Sequence, residues 1–196
     1  MAFHHAPGAT PLDPDEAIGL LPTHITTQEE LNRWELRNIE LGERWALLQT
    51  RRDLLNEAFV RALHRNMFNM TWRWAGTFRQ SNKNIGIDWS MVSVRLRDLL
   101  DNTRFQIEHH VFDVTETAVR FHHQLVWIHP FPNGNGRHAR LMADLLLLRL
   151  GRSRLSWGGD AHARLKDAGD LRKRYLDALR AADQGQFQDL LAFALG

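Results

Sequence analysis

Apolar residues recur with a period near that of an α-helix through most of this chain, and the breaks between runs are short. Thr27 followed three positions later by Glu30 is a capping-box pattern, after which Leu31, Trp34, Leu41, Trp45 and Leu48 keep helical spacing; a helix is predicted over 28–49. A second, over 51–66, places Leu55, Ala58, Phe59, Ala62 and Leu63 on one side. Helices are also predicted over 90–101, 113–128, 136–150, 170–182 and 186–195, and the one over 113–128 carries Val114, Ala118, Phe121, Leu125 and Ile128 on one stripe. The pair 113–128 and 136–150 is apolar on more than one face, so it should form the buried centre. Residues 72–79 interrupt the pattern, and turn formers are dense before Ile87, Asp88 and Trp89. A short hairpin over about 78–89 is the only β-structure expected. Residues 1–25, with Pro7, Pro11, Pro14 and Pro22, read as an extended arm ahead of one all-α domain spanning 26–196.

Composition narrows the classes. With 196 residues and 43% apolar content, the chain is long enough for one well-buried core. It has no cysteine, which excludes disulfides and thiolate metal sites and gives no sign of an oxidising compartment. The first ten residues are polar and lack a hydrophobic signal core, and no later window approaches a membrane span, so a soluble, cytoplasmic protein is expected. The net charge is +2 and the pI about 9.5, but arginines alternate with acids, as in Arg51, Arg52, Asp53 and Arg95, Arg97, Asp98. A solvated face explains that better than a nucleic-acid stripe.

Candidate chemistry gathers in residues 129–140: His129, Pro130, Phe131, Pro132, Asn133, Gly134, Asn135, Gly136, Arg137, His138, Ala139 and Arg140. A titratable imidazole precedes a glycine-rich turn, and two arginines one helical step apart follow at the start of an apolar helix. That is the composition of an anion site: the glycines let several N–H groups share one concave face, and the helix dipole adds positive potential. Phosphate is the natural guest. Gly134, Gly136 and Ala139 also satisfy the dinucleotide pattern GxGxxA, but a helix and not a strand precedes them, so that reading is rejected. The pairs His109/His110 and His122/His123 lack metal-ligand spacing and read as capping or packing residues.

The run HPFPNGNGRHAR resembles the signature of the Fic family, HPFx(D/E)GNGRxxR, departing from it only at Asn133, where Asp or Glu is usual. Trp74, Ala75, Gly76, Thr77, Phe78 and Arg79 are similar to the family's WAGxxR segment, and the order of helices agrees over about 50–195. The proline-rich arm with Thr23, His24, Ile25, Thr26, Thr27, Gln28, Glu29, Glu30 and Leu31 resembles the Fic subgroup named mobile mystery protein B. The resemblance implies a Fic-type helical bundle with a β-hairpin flap beside the active-site loop. It also implies an enzyme, a protein adenylyltransferase moving AMP from Mg·ATP to a Ser, Thr or Tyr hydroxyl of a target protein. His129 would be the general base. The turn of Gly134, Asn135 and Gly136 would cradle the α- and β-phosphates, with the Asn135 amide a further donor, and Arg137 would clamp the outer phosphates with Arg140 behind it. Asn133 stands at the Mg²⁺ position with an amide oxygen in place of a carboxylate, which weakens the metal's hold.

The resemblance assigns target docking to the flap, here Phe78, Arg79, Asn84, Ile85 and Gly86. Restraint in the family comes from a helix with the pattern (S/T)xxxE(G/N), whose glutamate pairs with the second motif arginine; Thr26 to Glu30 fits it in part. Glu30 thus has two readings, an inhibitory partner of Arg140 or the third residue of a capping box with Thr27, and the second leads. The runner-up function is a catalytically weakened, toxin-like nucleotide-binding module controlled by an antitoxin protein. A nucleic-acid-binding role rests on pI alone.

Overall fold

A computed structural model describes residues 14–159 and 168–196; of the arm expected over 1–25, residues 1–13 lie outside the described residues. Helix α1 (Pro14–Ala17) is a single turn, and α2 (Gln28–Leu47) follows. Next come α3 (Glu57–Phe68), a 3₁₀ turn at Trp89–Met91, α4 (Val92–Glu108), α5 (Val114–Ile128), α6 (Asn135–Arg149), α7 (Ala168–Asp183) and α8 (Gln188–Leu195). The described residues contain no strand, only an isolated antiparallel bridge between Leu20 and Trp72. No helix among them is long and apolar enough to cross a membrane.

The capping box holds as read. Thr27 Oγ1 accepts from the Glu30 N–H at 3.2 Å, and Glu30 Oε2 accepts from the Thr27 N–H at 3.0 Å. The stripe on α2 differs from the expected one. Leu41 and Leu48 are exposed, and the buried face is Leu31, Glu35, Asn38, Gly42 and Ala46. The cause is close packing on α3, since a Cβ on Gly42 would lie 2.7 Å from the Met67 backbone. Asn38 ties the two helices by donating to the Asn66 carbonyl and accepting from the Met70 N–H. Helix α3 begins later than expected because Asn56 caps it, accepting from the Ala58 N–H at 2.8 Å.

Helices α5 and α6 form the centre, as their apolar patterning implies: Ala118, Val119, Phe121 and Leu125 of α5 are buried together with Ala139, Met142, Ala143 and Leu147 of α6. Helices α3 and α4 flank this pair, and α7 and α8 fold back through a turn at Gly185. The expected hairpin at 78–89 is corrected. The segment is a loop whose limbs are joined by side chains and not by a main-chain ladder: Asn82 Oδ1 accepts from the Trp89 N–H at 2.8 Å, and Asn82 Nδ2 donates to Asp88.

Candidate active site

Helix α5 ends on His129, a non-glycine residue in the left-handed region (φ 54°, ψ 60°) whose N–H still reaches the Leu125 carbonyl at 3.3 Å. Such a backbone is sparsely populated and costs on the order of 1 kcal/mol or more, so the surroundings must hold it. Arg79 does this. Its guanidinium is 2% exposed and donates to the carbonyls of His129 at 2.6 Å, of Ser81 at 2.8 Å and of Ile87, while its own N–H donates to the Pro130 carbonyl at 3.0 Å. Arg79 is therefore a clamp that fixes the turn after α5 and the feet of the 80–87 loop.

The turn itself is rigid. Phe131 is fully buried and stacks on His64 at 3.7 Å between centroids. His64 Nδ1 accepts from the Gly76 N–H at 2.9 Å, so its proton sits on Nε2, which donates to the Asn133 carbonyl at 3.0 Å. One neutral imidazole thus ties the 74–79 segment to the motif. Asn135 closes the turn with both ends of its amide, accepting from the Phe131 N–H at 2.9 Å and donating to the Phe131 carbonyl at 2.8 Å. The side-chain amide expected as a further phosphate donor is thus buried and committed to the Phe131 main chain.

At the N-terminus of α6, Gly134 takes φ 78° and a Cβ there would strike the Phe68 ring at 2.6 Å, so both conformation and space require glycine. Gly136 differs: a Cβ would meet nothing closer than the Tyr175 hydroxyl at 3.6 Å, an ordinary contact, so the space over the first turn does not itself require glycine. No side chain caps this end. The first-turn N–H groups and the dipole are therefore presented to whatever occupies that space. Arg137 lies over Phe68 at 5.1 Å, and Arg140 lies over Tyr175 at 5.4 Å.

Two acids on α2 behave differently. The Glu30 carboxylate is engaged by Thr26 and Thr27, which hold it down at about 2, and it serves the helix cap, the leading of its two readings. Glu35 is the acid that reaches the motif: its carboxylate is 4% exposed, accepts from Trp72 Nε1 at 2.7 Å and pairs with Arg137 at 2.7 Å.

Burial pushes His129 down to about 4, with the Arg79 and Lys83 charges adding to the effect and a main-chain hydrogen bond at Val126 opposing it. At neutral pH the imidazole is uncharged and able to accept a proton. The 80–87 loop lies directly on it, since a Cβ on Gly86 (φ 92°) would come within 2.6 Å of the His129 Cβ. Of the expected docking residues, Phe78 packs on Phe131 at 5.6 Å and Arg79 is the clamp, whereas Asn84 and Ile85 are exposed.

Asn133 offers an amide oxygen that already accepts from the Gly134 N–H at 2.6 Å, and the described residues contain no group of three or more His, Asp or Glu arranged to hold a metal. The residues present fit a cation that arrives with a polyphosphate better than a preformed metal site. Sequence reasoning missed Glu35, His64 and Tyr175, whose hydroxyl lies 3.1 Å from His122 Nε2. Glu35 falls in phase with Leu31, Asn38, Gly42 and Ala46, and an acid in that phase was the available signal.

Residues 54–147 match the family model described as the Fic/DOC family. A protein adenylyltransferase of Caenorhabditis elegans, fic-1, is 30% identical over 113 residues, covering 54% of this chain and 22% of that one. The chain spans less than a quarter of the length of the curated relatives it matches. Among solved structures, the N-terminal Fic domain of a putative cell filamentation protein from Bartonella quintana superposes with a TM-score of 0.69 at 16% identity, over 92% of this chain and 91% of that one. BepC from Bartonella tribocorum, solved with bound AMPPNP, gives a TM-score of 0.61 at 15% identity, over 93% and 97% of the two chains. With the motif loop, the clamped turn after α5 and the helical architecture all in place, residues 54–147 form a domain of the Fic/DOC family.

Proposed function

We propose that this protein is an adenylyltransferase that moves AMP from ATP to a hydroxyl of a target protein. The observation that carries the reading is the placing of a neutral, buried imidazole at the left-handed end of α5, next to the uncapped N-terminus of α6. His129 takes the proton of the attacking hydroxyl; its oxygen bonds to the α-phosphorus as the bond to the β-phosphate oxygen breaks, and pyrophosphate leaves. An arriving polyphosphate raises the proton affinity of His129, because a nearby anion favours the imidazolium. The first-turn amides of Gly136 and its neighbours receive the phosphate charge, and Arg137 and Arg140 supply the guanidinium groups. Mg²⁺ would be held by Asn133 and by the phosphates, and supplies charge neutralisation there. Asn84 and Ile85, exposed on the loop over the base, face the target. In this reading the reaction takes place in the cytoplasm with an antitoxin as partner, a setting supported by the resemblance of the N-terminal region to mobile mystery protein B.

Labelled ATP incubated with the full chain and a bacterial lysate tests this. His129→Ala should lower protein labelling by roughly 10²-fold or more, the usual worth of a positioned base, while the thermal unfolding profile and ATP binding stay close to wild type. Equal labelling by the variant would remove His129 from the chemistry.

A second reading, a nucleotide-binding module held in restraint, is favoured by the Glu35–Arg137 pair, which engages the guanidinium proposed to clamp the outer phosphates. Glu35→Gln should then tighten ATP binding and raise labelling by several-fold, since the charge opposing nucleotide is gone. A weaker affinity would mean that Glu35 orients Arg137 for use and does not withhold it.

A further inference from the structure

Residues 14–22 are tied to the segment that leads into the 80–87 loop. Trp74 Nε1 donates to the Glu16 carbonyl at 3.0 Å, the Arg73 N–H to the Gly19 carbonyl at 2.8 Å, and the Leu21 N–H to the Thr71 carbonyl at 2.9 Å. Gly19 lies so close to Trp74 that a Cβ would meet its ring at 2.7 Å. From this strap the Glu16 carboxylate reaches Lys83, within the loop, at 2.6 Å, and the two side chains are only 15% and 2% exposed. A pair this far out of water differs from a surface ion pair: removing either partner leaves the other charge less compensated in a poorly solvated place.

The loop has no ladder to hold it. Arg79 fixes its start and the Ile87 carbonyl, Asn82 joins Asp88 and Trp89, and Lys83 ties it to the strap outside the loop; three residues on, Gly86 rests against His129. We infer that Glu16 and Lys83 are positioning residues for the proposed reaction: the N-terminal strap, acting through this ion pair, fixes the loop against His129 and so forms part of the active site. The inference rests on His129 being the base, but the strap, the pair and the loop contact are observed independently of that role. Lys83 also bears on His129 electrostatically, its ammonium helping to hold the imidazole below its usual range. The amino-terminal segment would then be needed for transfer although it carries no motif residue.

The test uses the full chain, first without nucleotide. In Glu16→Gln and Lys83→Met, amide hydrogen exchange over residues 82–88 should quicken by roughly tenfold or more, with α3 and α6 unchanged, as for a local opening. The charge-reversed pair Glu16→Lys/Lys83→Glu should restore protection. The His129 ring titration, followed by NMR, should move upward in Lys83→Met and stay in place in Lys83→Arg, a difference that a merely structural lysine would not produce. Unchanged exchange in both single variants, no recovery in the reversed pair, or equal His129 midpoints for the Met and Arg variants would each overturn the inference. In the presence of labelled ATP, Glu16→Gln should lower kcat for self-labelling more than it raises the KM for ATP. Absence of labelling in the wild type, with the exchange and titration effects present, would sink the transferase reading and leave standing the strap's hold on the loop over His129.

Discussion

Asn133 and Asn135 stand two residues apart in the motif loop, yet their amides do different things. The Asn135 amide is turned inward onto both main-chain groups of Phe131, while Asn133 uses its oxygen on the next N–H and keeps a half-exposed position. Only Asn133 can offer a lone pair to a cation, and it brings no negative charge. Asn133→Asp should lower the Mg²⁺ concentration that half-saturates labelling, by roughly tenfold if the missing carboxylate limits metal affinity. An unchanged magnesium titration would show that the phosphates alone set the metal's hold. His129, Gly134, Gly136, Arg137 and Arg140 were legible in the sequence because they lie within one short loop and helix start. Glu35 and His64 were not, because they reach that loop from positions 102 and 69 residues away from their partners. Nothing in the local pattern at either residue tells which distant group it will meet.

Helix α2 shows where periodicity stops being informative. Its start at Gln28 follows from Thr27 and Glu30, and that was readable, whereas its end falls at Leu47 and not at 49. Its buried face was not, because Glu35, Asn38 and Gly42 are there for hydrogen bonding and close approach to α3 and not for apolar area. The hairpin expected at 78–89 failed for a related reason: buried Arg79 satisfies the Ser81 and Ile87 carbonyls, two that a strand pairing would have used. If α2 contributes restraint through Glu35 alone, then its N-terminal cap affects stability and not activity. Thr27→Ala should cost about 1 kcal/mol, the usual worth of a lost N-cap, and Glu30→Gly should also lower the melting temperature. Labelling by labelled ATP should match wild type in both. A rise in Glu30→Gly that is absent in Thr27→Ala would return the inhibitory role to Glu30.

At the scale of the molecule, the centre of this helical domain is unusual in the number of histidines packed into it. His64, His122 and His138 are completely buried and His129 nearly so, and burial drives all four below the ordinary imidazole range, His129 and His138 to about 4. Each has a folded-state pKa below its unfolded value, so each contributes stability that is fully present above about 6.5 and is lost as pH falls toward 4, because the unfolded chain binds the protons first. Asp144 works the other way, its carboxyl raised by burial, but its window starts from the carboxylate range and overlaps only the acid end. The capping acids Glu30, Asp88 and Asp113 are lowered and lose their contribution below the normal carboxylate range, later in an acid titration. The first loss on acidification is therefore the histidines'. For His129 and His138 together, about 4 kcal/mol should be gone by pH 5, at roughly 1.4 kcal/mol per pH unit for each group, which is a large part of the stability of an ordinary domain. Thermal melts from pH 7.5 to 4.5 should show a steep fall beginning near pH 6.5, well above the pH at which carboxylates titrate. His138→Gln keeps a donor for the Val60 carbonyl, which His138 reaches at 3.0 Å, and removes one titrating group. Its melting temperature should depend less on pH than that of the wild type over the same interval. An identical slope in the variant would mean that His138 is protonated in the folded protein as readily as in the unfolded chain.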